Sequence, residues 1–194
     1  MLKLNAFAKE VHGNAMAHGW WDEERTFGEI VSLCHSELSE ALEEYRRGRP
    51  MAYVLRLFDE ESTGGLQDYY EEDMDKWLPD EKPEGVATEL ADCVIRILDW
   101  CGKEDVDLEH FLERFADEEE FVLIPENFGD ALAEMHCDLS MAYGYGMYRQ
   151  EFIARVVGDI FDWAEANHVD MERILLMKHT YNKGRPYRHG GKKL

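Results

Sequence analysis

The sequence predicts an all-α fold: a four-helix-type bundle built from a duplicated helical hairpin, of which the second copy is degenerate. The first observation behind this prediction is that apolar residues recur at helical spacing along most of the chain. The second is a weak internal repeat, and the third is a row of acidic residues that continues an apolar helix face. Because two antiparallel hairpins pack into a four-helix arrangement, we expect a single all-α domain over residues 1–194.

Four helices of the first half are predicted from apolar spacing and from Gly and Pro stop signals. The first contains the apolar stripe Leu4, Phe7, Val11 and Ala15, and Gly48-Arg49-Pro50 ends the second. The predicted ranges are 3–18, 26–47, 84–101 and 107–115. The first hairpin, which carries the candidate chemistry, then spans about 22–115.

The segment 51–83 is interpreted as an insertion or flexible loop within the first hairpin. Ser62-Thr63-Gly64-Gly65, Pro79 and Pro83 interrupt any regular pattern there. Only the stretch from Met51 to Phe58 is compatible with a short helix.

A second part of the chain, about 126–182, repeats the first weakly. Phe27-Gly28-Glu29 is matched by Phe128-Gly129-Asp130 at an offset of 101 residues, and Asp99-Trp100 by Asp162-Trp163 at an offset of 63. The second copy is therefore about 38 residues shorter, which corresponds to the segment 51–83. The acidic positions are replaced in this copy: Asp138, Met141, Phe152 and Arg155 stand against Glu37, Glu40, Glu89 and Asp92.

Composition limits the classes of partner. The formal net charge of −21 argues against a nucleic-acid polymer as the main partner. No apolar run reaches 18 residues, so no membrane segment is expected. The four cysteines are dispersed, which is typical of reduced thiols and favours a cytoplasmic location. The basic tail, residues 178–194, has six Lys or Arg and no acid, and suits contact with the acidic body or a polyanion.

The acidic row lies on an inward helix face. At about 100° per residue, Glu37, Glu40 and Glu44 follow one line that carries Ile30 and Leu33 one turn earlier. Carboxylates on a buried face repel one another and are costly to ionise unless a cation meets them. A bound cation is therefore expected at this row.

Two acidic pairs together suit a hard metal ion. Glu37 with Glu40, and Glu89 with Asp92, can face one another and supply four oxygen ligands, a set that favours Mg²⁺ or Mn²⁺ over zinc. Mg²⁺ bound by few carboxylates keeps places for substrate phosphates, so the pattern indicates metal-assisted phosphate chemistry. The alternative, that an acidic chain simply has Glu-rich helices, stays open at this point.

The two acidic motifs and the tail resemble a known family. Ser36-Glu37-Leu38-Ser39-Glu40, followed by Glu89-Leu90-Ala91-Asp92, resembles the E-x-x-E … E-x-x-D signature of MazG-like nucleoside triphosphate pyrophosphohydrolases. These belong to the all-α NTP pyrophosphatase superfamily, which also includes the dimeric dUTPases. Residues 178–192 are similar to the K-x-x-x-N-x-x-R-P-Y-R-H-G-G-K ending of MazG-like members. The resemblance covers roughly residues 3–50, 84–115 and 165–194.

The resemblance implies a reaction and its residues. A nucleoside triphosphate, expected to be a dNTP, would be hydrolysed to the monophosphate and pyrophosphate with Mg²⁺ as cofactor and Mn²⁺ as a substitute. Glu40 or Glu44 would orient or deprotonate the attacking water. The implied metal ligands are Glu37, Glu40, Glu89 and Asp92, and the implied phosphate ligands are Lys178, Asn182 and Arg185, to which Arg96 is added.

A non-catalytic helical module that binds a nucleotide or a protein is the second hypothesis. Its motivation is the degenerate second copy and Ser36, which stands where the family usually has a Glu. For either hypothesis the sequence is compatible with both a monomer and a homodimer, because such bundles often pair through their remaining apolar faces.

Overall fold

The computed structural model describes residues 2–60, 65–117 and 127–191, and these are mostly helical. Three predicted regions extend past them: residues 61–64 of the insertion, residue 126 of the repeat and residues 192–194 of the basic tail lie outside the described residues. The helices are α1 (Leu4–Ala17), α2 (Phe27–Arg46), α3 (Val86–Glu104), α4 (Leu108–Asp117), α5 (Phe128–Gly144), α6 (Arg149–Ala166), α7 (Met171–Lys183) and α8 (Arg188–Gly191).

The mainly helical fold is confirmed, and α1 to α4 begin and end within a few residues of the predicted ranges. Local signals explain the agreement. Thr26 accepts a hydrogen bond from the Glu29 amide while the Glu29 carboxylate accepts one from the Thr26 amide, a capping box that fixes the start of α2. Asn127 caps α5 through its side chain, which accepts hydrogen bonds from the amides of Gly129 and Asp130.

The all-α prediction is wrong for the segment 51–83, which contains strands. Strands β1 (Tyr53–Glu60), β2 (Gly65–Glu71) and β3 (Pro83–Glu84) form an antiparallel sheet in the order β2-β1-β3. The proposed short helix from Met51 to Phe58 is therefore replaced by β1. A short apolar run suits either a helix or a strand, and pairing with β2 decides between them here.

Helices α2 and α3 form one packed pair, α5 and α6 form another, and the two pairs meet through α2 with α5 and α3 with α6. Helix α1 packs on α3, and Gly102 permits the contact. A Cβ on Gly102 would lie 2.3 Å from the Ala8 carbonyl oxygen, far inside van der Waals distance. Helix α7 also packs on α3, so α3 is surrounded and most of its residues are buried.

Equivalent positions of the two helix pairs make equivalent contacts. Phe27 lies 4.9 Å from Trp100 between ring centroids, and Phe128 lies 4.8 Å from Trp163. At the contact between α2 and α5, the rings of His35 and His136 stack and their Nδ1 atoms are 2.7 Å apart. These two histidines are separated by 101 positions, the same offset that relates the sequence motifs.

Throughout the described ranges, no helix combines the length and the apolar character that crossing a membrane requires.

Candidate functional site

Three carboxylates from two helices meet at the contact between α2 and α3. Glu37 of α2 and Glu89 and Asp92 of α3 each have an oxygen within 4.8 Å of the others, the group of the described residues most suited to holding a metal ion. Opposite oxygen ligands of one Mg²⁺ ion are about 4.2 Å apart, so separations within this limit are of the size that such an ion requires. Of the four predicted metal ligands, the geometry brings together Glu37, Glu89 and Asp92.

Burial makes these carboxylates costly to ionise. Glu37 and Glu89 are both buried. Burial raises the pKa of Glu89 to about 7, and the charge of Asp92 adds to the effect while Lys178 opposes it. Burial also raises the pKa of Glu37, against the opposing charge of Arg96. A cation placed among these oxygens would therefore gain strongly from the site.

Two basic side chains already contact the group. The Lys178 ammonium lies 2.7 Å from Asp92 and donates to the Pro83 carbonyl at 3.3 Å. Its side chain is only 2% exposed. Although burial favours the neutral amine, the charges of Asp92 and Glu89 outweigh it and raise the pKa of Lys178. Arg96 donates to Glu37 Oε1 from Nε and Nη2, at 3.1 and 2.9 Å.

The other two predicted acids of α2 lie apart from the three carboxylates. At about 100° per residue, Glu44 lies within about 20° of Glu37 around the helix, whereas Glu40 is about 60° away. Glu40 is exposed and accepts a hydrogen bond from Ser36 Oγ at 3.3 Å, so the expected single inward row is interrupted. Glu44 is buried and accepts a hydrogen bond from the Tyr53 hydroxyl at 2.9 Å, which ties α2 to β1.

A cleft of about 70 Å³ adjoins the carboxylates on the side of α1 and α7. Because one water needs roughly 10–15 Å³, this volume accommodates a few waters or a group such as a phosphate. Asp92 and Arg96 line it, together with the predicted phosphate ligands Asn182 and Arg185. The structure thus brings all of the predicted basic and amide residues to one place, with Lys178 in the carboxylate group and the others around the cleft.

The loop between α1 and α2 also contributes to the cleft, and its Arg25 is a residue that the sequence pattern did not single out. Arg25 and Trp20 line the same cleft, and the Arg25 guanidinium lies 5.3 Å from the centre of the Trp20 ring. Trp21 donates from Nε1 to both oxygens of Asp99, at 2.9 and 3.1 Å, and His12 lies 2.8 Å from the same carboxylate. Asp99 therefore fixes the loop on α3.

The basic tail packs against this loop of the same chain. The Arg188 amide donates to the His18 carbonyl at 3.0 Å, and Arg188 Nε donates to the Gly19 carbonyl at 3.1 Å. The Tyr187 hydroxyl donates to Asp22, and His18 Nε2 lies 2.9 Å from the Arg185 carbonyl. These contacts hold Arg185 at the mouth of the cleft.

Gly19→Ala is expected to loosen the tail. Gly19 has a φ of +76°, and a Cβ there would lie 2.1 Å from the Tyr187 ring, so the ring must leave. Trypsin should then cleave the tail at Arg188 several-fold faster than in the wild type. Gly48→Ala is the matched control, because Gly48 also has positive φ but open space around its Cβ. Equal cleavage rates in the two variants would contradict the expectation.

Comparison with protein-family models, with curated proteins and with solved structures finds no match for this chain. No family is assigned. The MazG-like resemblance stays a prediction that depends on the motifs alone.

Proposed function

We propose that this protein hydrolyses a nucleoside triphosphate to the monophosphate and pyrophosphate, with Mg²⁺ held by Glu37, Glu89 and Asp92. One observation carries the proposal: a buried group of carboxylates adjoins a cleft lined by arginines. A triphosphate needs both, cations for its phosphate oxygens and carboxylates for the metal that bridges them. The oxygen-only donor set fits Mg²⁺, and also Mn²⁺.

The residues of the chain would have the following roles in this reaction. Arg96 and Arg185 would hold phosphate oxygens in the cleft, with Asn182 donating from its amide. Glu40 is the proposed base, because its carboxylate lies one turn along α2 from Glu37, is exposed to water and uses only one oxygen in its hydrogen bond with Ser36. When bound, Mg²⁺ supplies charge neutralisation and lowers the pKa of a coordinated water. Glu44, bonded to Tyr53, fits a positioning role better than a catalytic one.

A non-catalytic module that binds a nucleotide or a protein is the second candidate, and one observation favours it. The ammonium of Lys178 lies 2.7 Å from Asp92, and Arg96 pairs with Glu37, so basic side chains already neutralise part of the group. If these pairs persist with ligand present, no metal enters and no hydrolysis follows.

We also infer that the two helix pairs derive from one duplicated hairpin with a single surviving site. The offsets of 101 and 63 residues relate the starts of α2 and α5, of α3 and α6, and of α4 and α7. In the second pair Arg155 stands at the position of Asp92, and Asp159 at the position of Arg96, so the charges are exchanged. Phe152 stands at the position of Glu89, so the second pair has one acid fewer beside Asp138, which supports chemistry at the first pair only.

The test is pyrophosphate release from a panel of dNTPs and NTPs, with Mg²⁺, with Mn²⁺ and with EDTA. We expect metal-dependent release from at least one of them and a loss of at least about 100-fold in Asp92→Asn. Full rate in Asp92→Asn, or no release by the wild type from any triphosphate, would contradict the proposal. Metal-dependent nucleotide binding by calorimetry without turnover would support the non-catalytic module instead.

A further inference from the structure

Arg25 is a buried cation without a hydrogen-bonding partner for part of its guanidinium. Only 8% of its surface is exposed, and its Nη2 atom is buried and donates to no partner among the described residues. Burial lowers the pKa of Arg25, and the nearby charge of Arg96 lowers it further, against the opposing charges of Asp99 and Glu29. A buried N–H donor without a partner is costly, and an anion bound in function would satisfy it.

The surroundings of Arg25 point to a phosphate. Its side chain lies against Trp20 and Trp21, at 5.3 and 5.9 Å from the ring centres, which fixes the plane of the guanidinium. It lines the cleft with Arg96 and Arg185, beside the carboxylates of Asp92 and Asp99. Three cations against two anions leave an excess of positive charge in the cleft, which a bound phosphate would offset. A planar fork of donors suits the oxygens of phosphate.

We propose that Arg25 binds the pyrophosphate portion of the substrate and thereby selects triphosphates over monophosphates. The inference rests on the proposed function for the identity of the substrate. The carboxylate group and Lys178 lie at one side of the cleft, whereas Arg25 reaches it from the loop between α1 and α2. With the reacting phosphorus beside the carboxylates, the remaining phosphates extend towards Arg25 and Arg185.

The experiment measures binding of inorganic pyrophosphate by calorimetry, with and without Mg²⁺, to the whole protein and to Arg25→Gln. Loss of a charge-assisted, forked contact should weaken binding about 10- to 100-fold. Arg25→Lys keeps the positive charge but not the planar pair of donors, so an intermediate loss of pyrophosphate affinity is expected. If Arg25→Gln does not fold, Arg25→Lys is used for the test instead. Arg46→Gln is the control, because Arg46 is exposed and pairs with Glu43 on its own helix.

The outcomes separate this inference from the proposed function. Weakened pyrophosphate binding with an unchanged or higher melting temperature supports a ligand-binding role, since a structural arginine would lower the melting temperature when removed. If the protein binds pyrophosphate through Arg25 but hydrolyses no triphosphate, the anion site is supported and the proposed enzymatic function is rejected. Equal binding by the wild type and Arg25→Gln, or no binding by the wild type, would overturn the inference.

Discussion

Glu89→Gln is expected to lower metal-dependent triphosphate hydrolysis by at least about 100-fold, because a neutral amide is a poor ligand for Mg²⁺ and weakens the proposed metal site. Glu89 lies in the first turn of α3 and is buried beside Glu37 and Asp92. Mg²⁺ binding, measured by calorimetry without nucleotide, should weaken in parallel.

The same substitution should change how stability depends on pH in the metal-free protein. The pKa of Glu89 is raised from 4.5 to about 7 by burial, so the folded state holds a proton that the unfolded chain releases between these values. Stability therefore falls as the pH rises through this window and stays reduced above it. Gln does not titrate, so the variant should be more stable than the wild type above pH 7, by up to about 3 kcal/mol, and equal to it below about pH 4.

Urea unfolding in EDTA at pH 4, 6 and 8 measures this difference. Glu43→Gln is the control, since Glu43 is exposed and pairs with Arg46 on the same helix. A variant that is less stable than the wild type at pH 8, or that keeps full metal-dependent activity, would show that Glu89 does not have the proposed role.

Lys178→Met is expected to give the second large effect, a protein whose stability depends on Mg²⁺. Removing one partner of a buried ion pair costs about 3–5 kcal/mol, because Asp92 is then left without its counter-charge. Mg²⁺ binds the folded state and should restore part of this loss as its concentration rises. The melting temperature in EDTA should therefore fall by several degrees, and Mg²⁺ should raise it more in the variant than in the wild type.

Lys183→Met provides the comparison for that experiment. Lys183 lies on the same helix but is half-exposed and pairs with Glu10, outside the carboxylate group. Its removal should leave the response to Mg²⁺ unchanged. If Mg²⁺ stabilises Lys178→Met no more than the wild type, the carboxylates are not a metal site.

Much of the helical framework is predictable because its signals are local. Apolar spacing and the cap at Thr26 locate α2, and spacing alone brings Glu37, Glu89 and Asp92 to one contact between helices. The same spacing wrongly predicts Glu40 on the inward face of α2. A row drawn along a helix at steps of three and four includes side chains that differ by about 60° around the axis, and that rotation is enough to separate a buried side chain from an exposed one.

The remainder depends on partners distant in sequence. Strand β1 is stabilised by pairing with β2, and an eight-residue run carries no information about that pairing. Lys178 resembles a phosphate ligand in the motif, yet in the fold its ammonium contacts Asp92. Arg25 lies in a loop without periodicity, so its burial and its unpaired Nη2 become visible only when the loop packs on α3.

The pairing of Asp92 with Lys178 also has a consequence for biosynthesis. Lys178 follows Asp92 by 86 residues, so at about 5–20 residues per second it leaves the ribosome roughly 4–17 s later. Arg96 emerges almost together with Asp92 and can neutralise Glu37 at once, whereas Glu89 and Asp92 have no basic partner from α7 in that interval. Protons and dissolved divalent cations are then available as counter-charges, so the ion content of the surrounding solution bears on how the nascent helix pair packs.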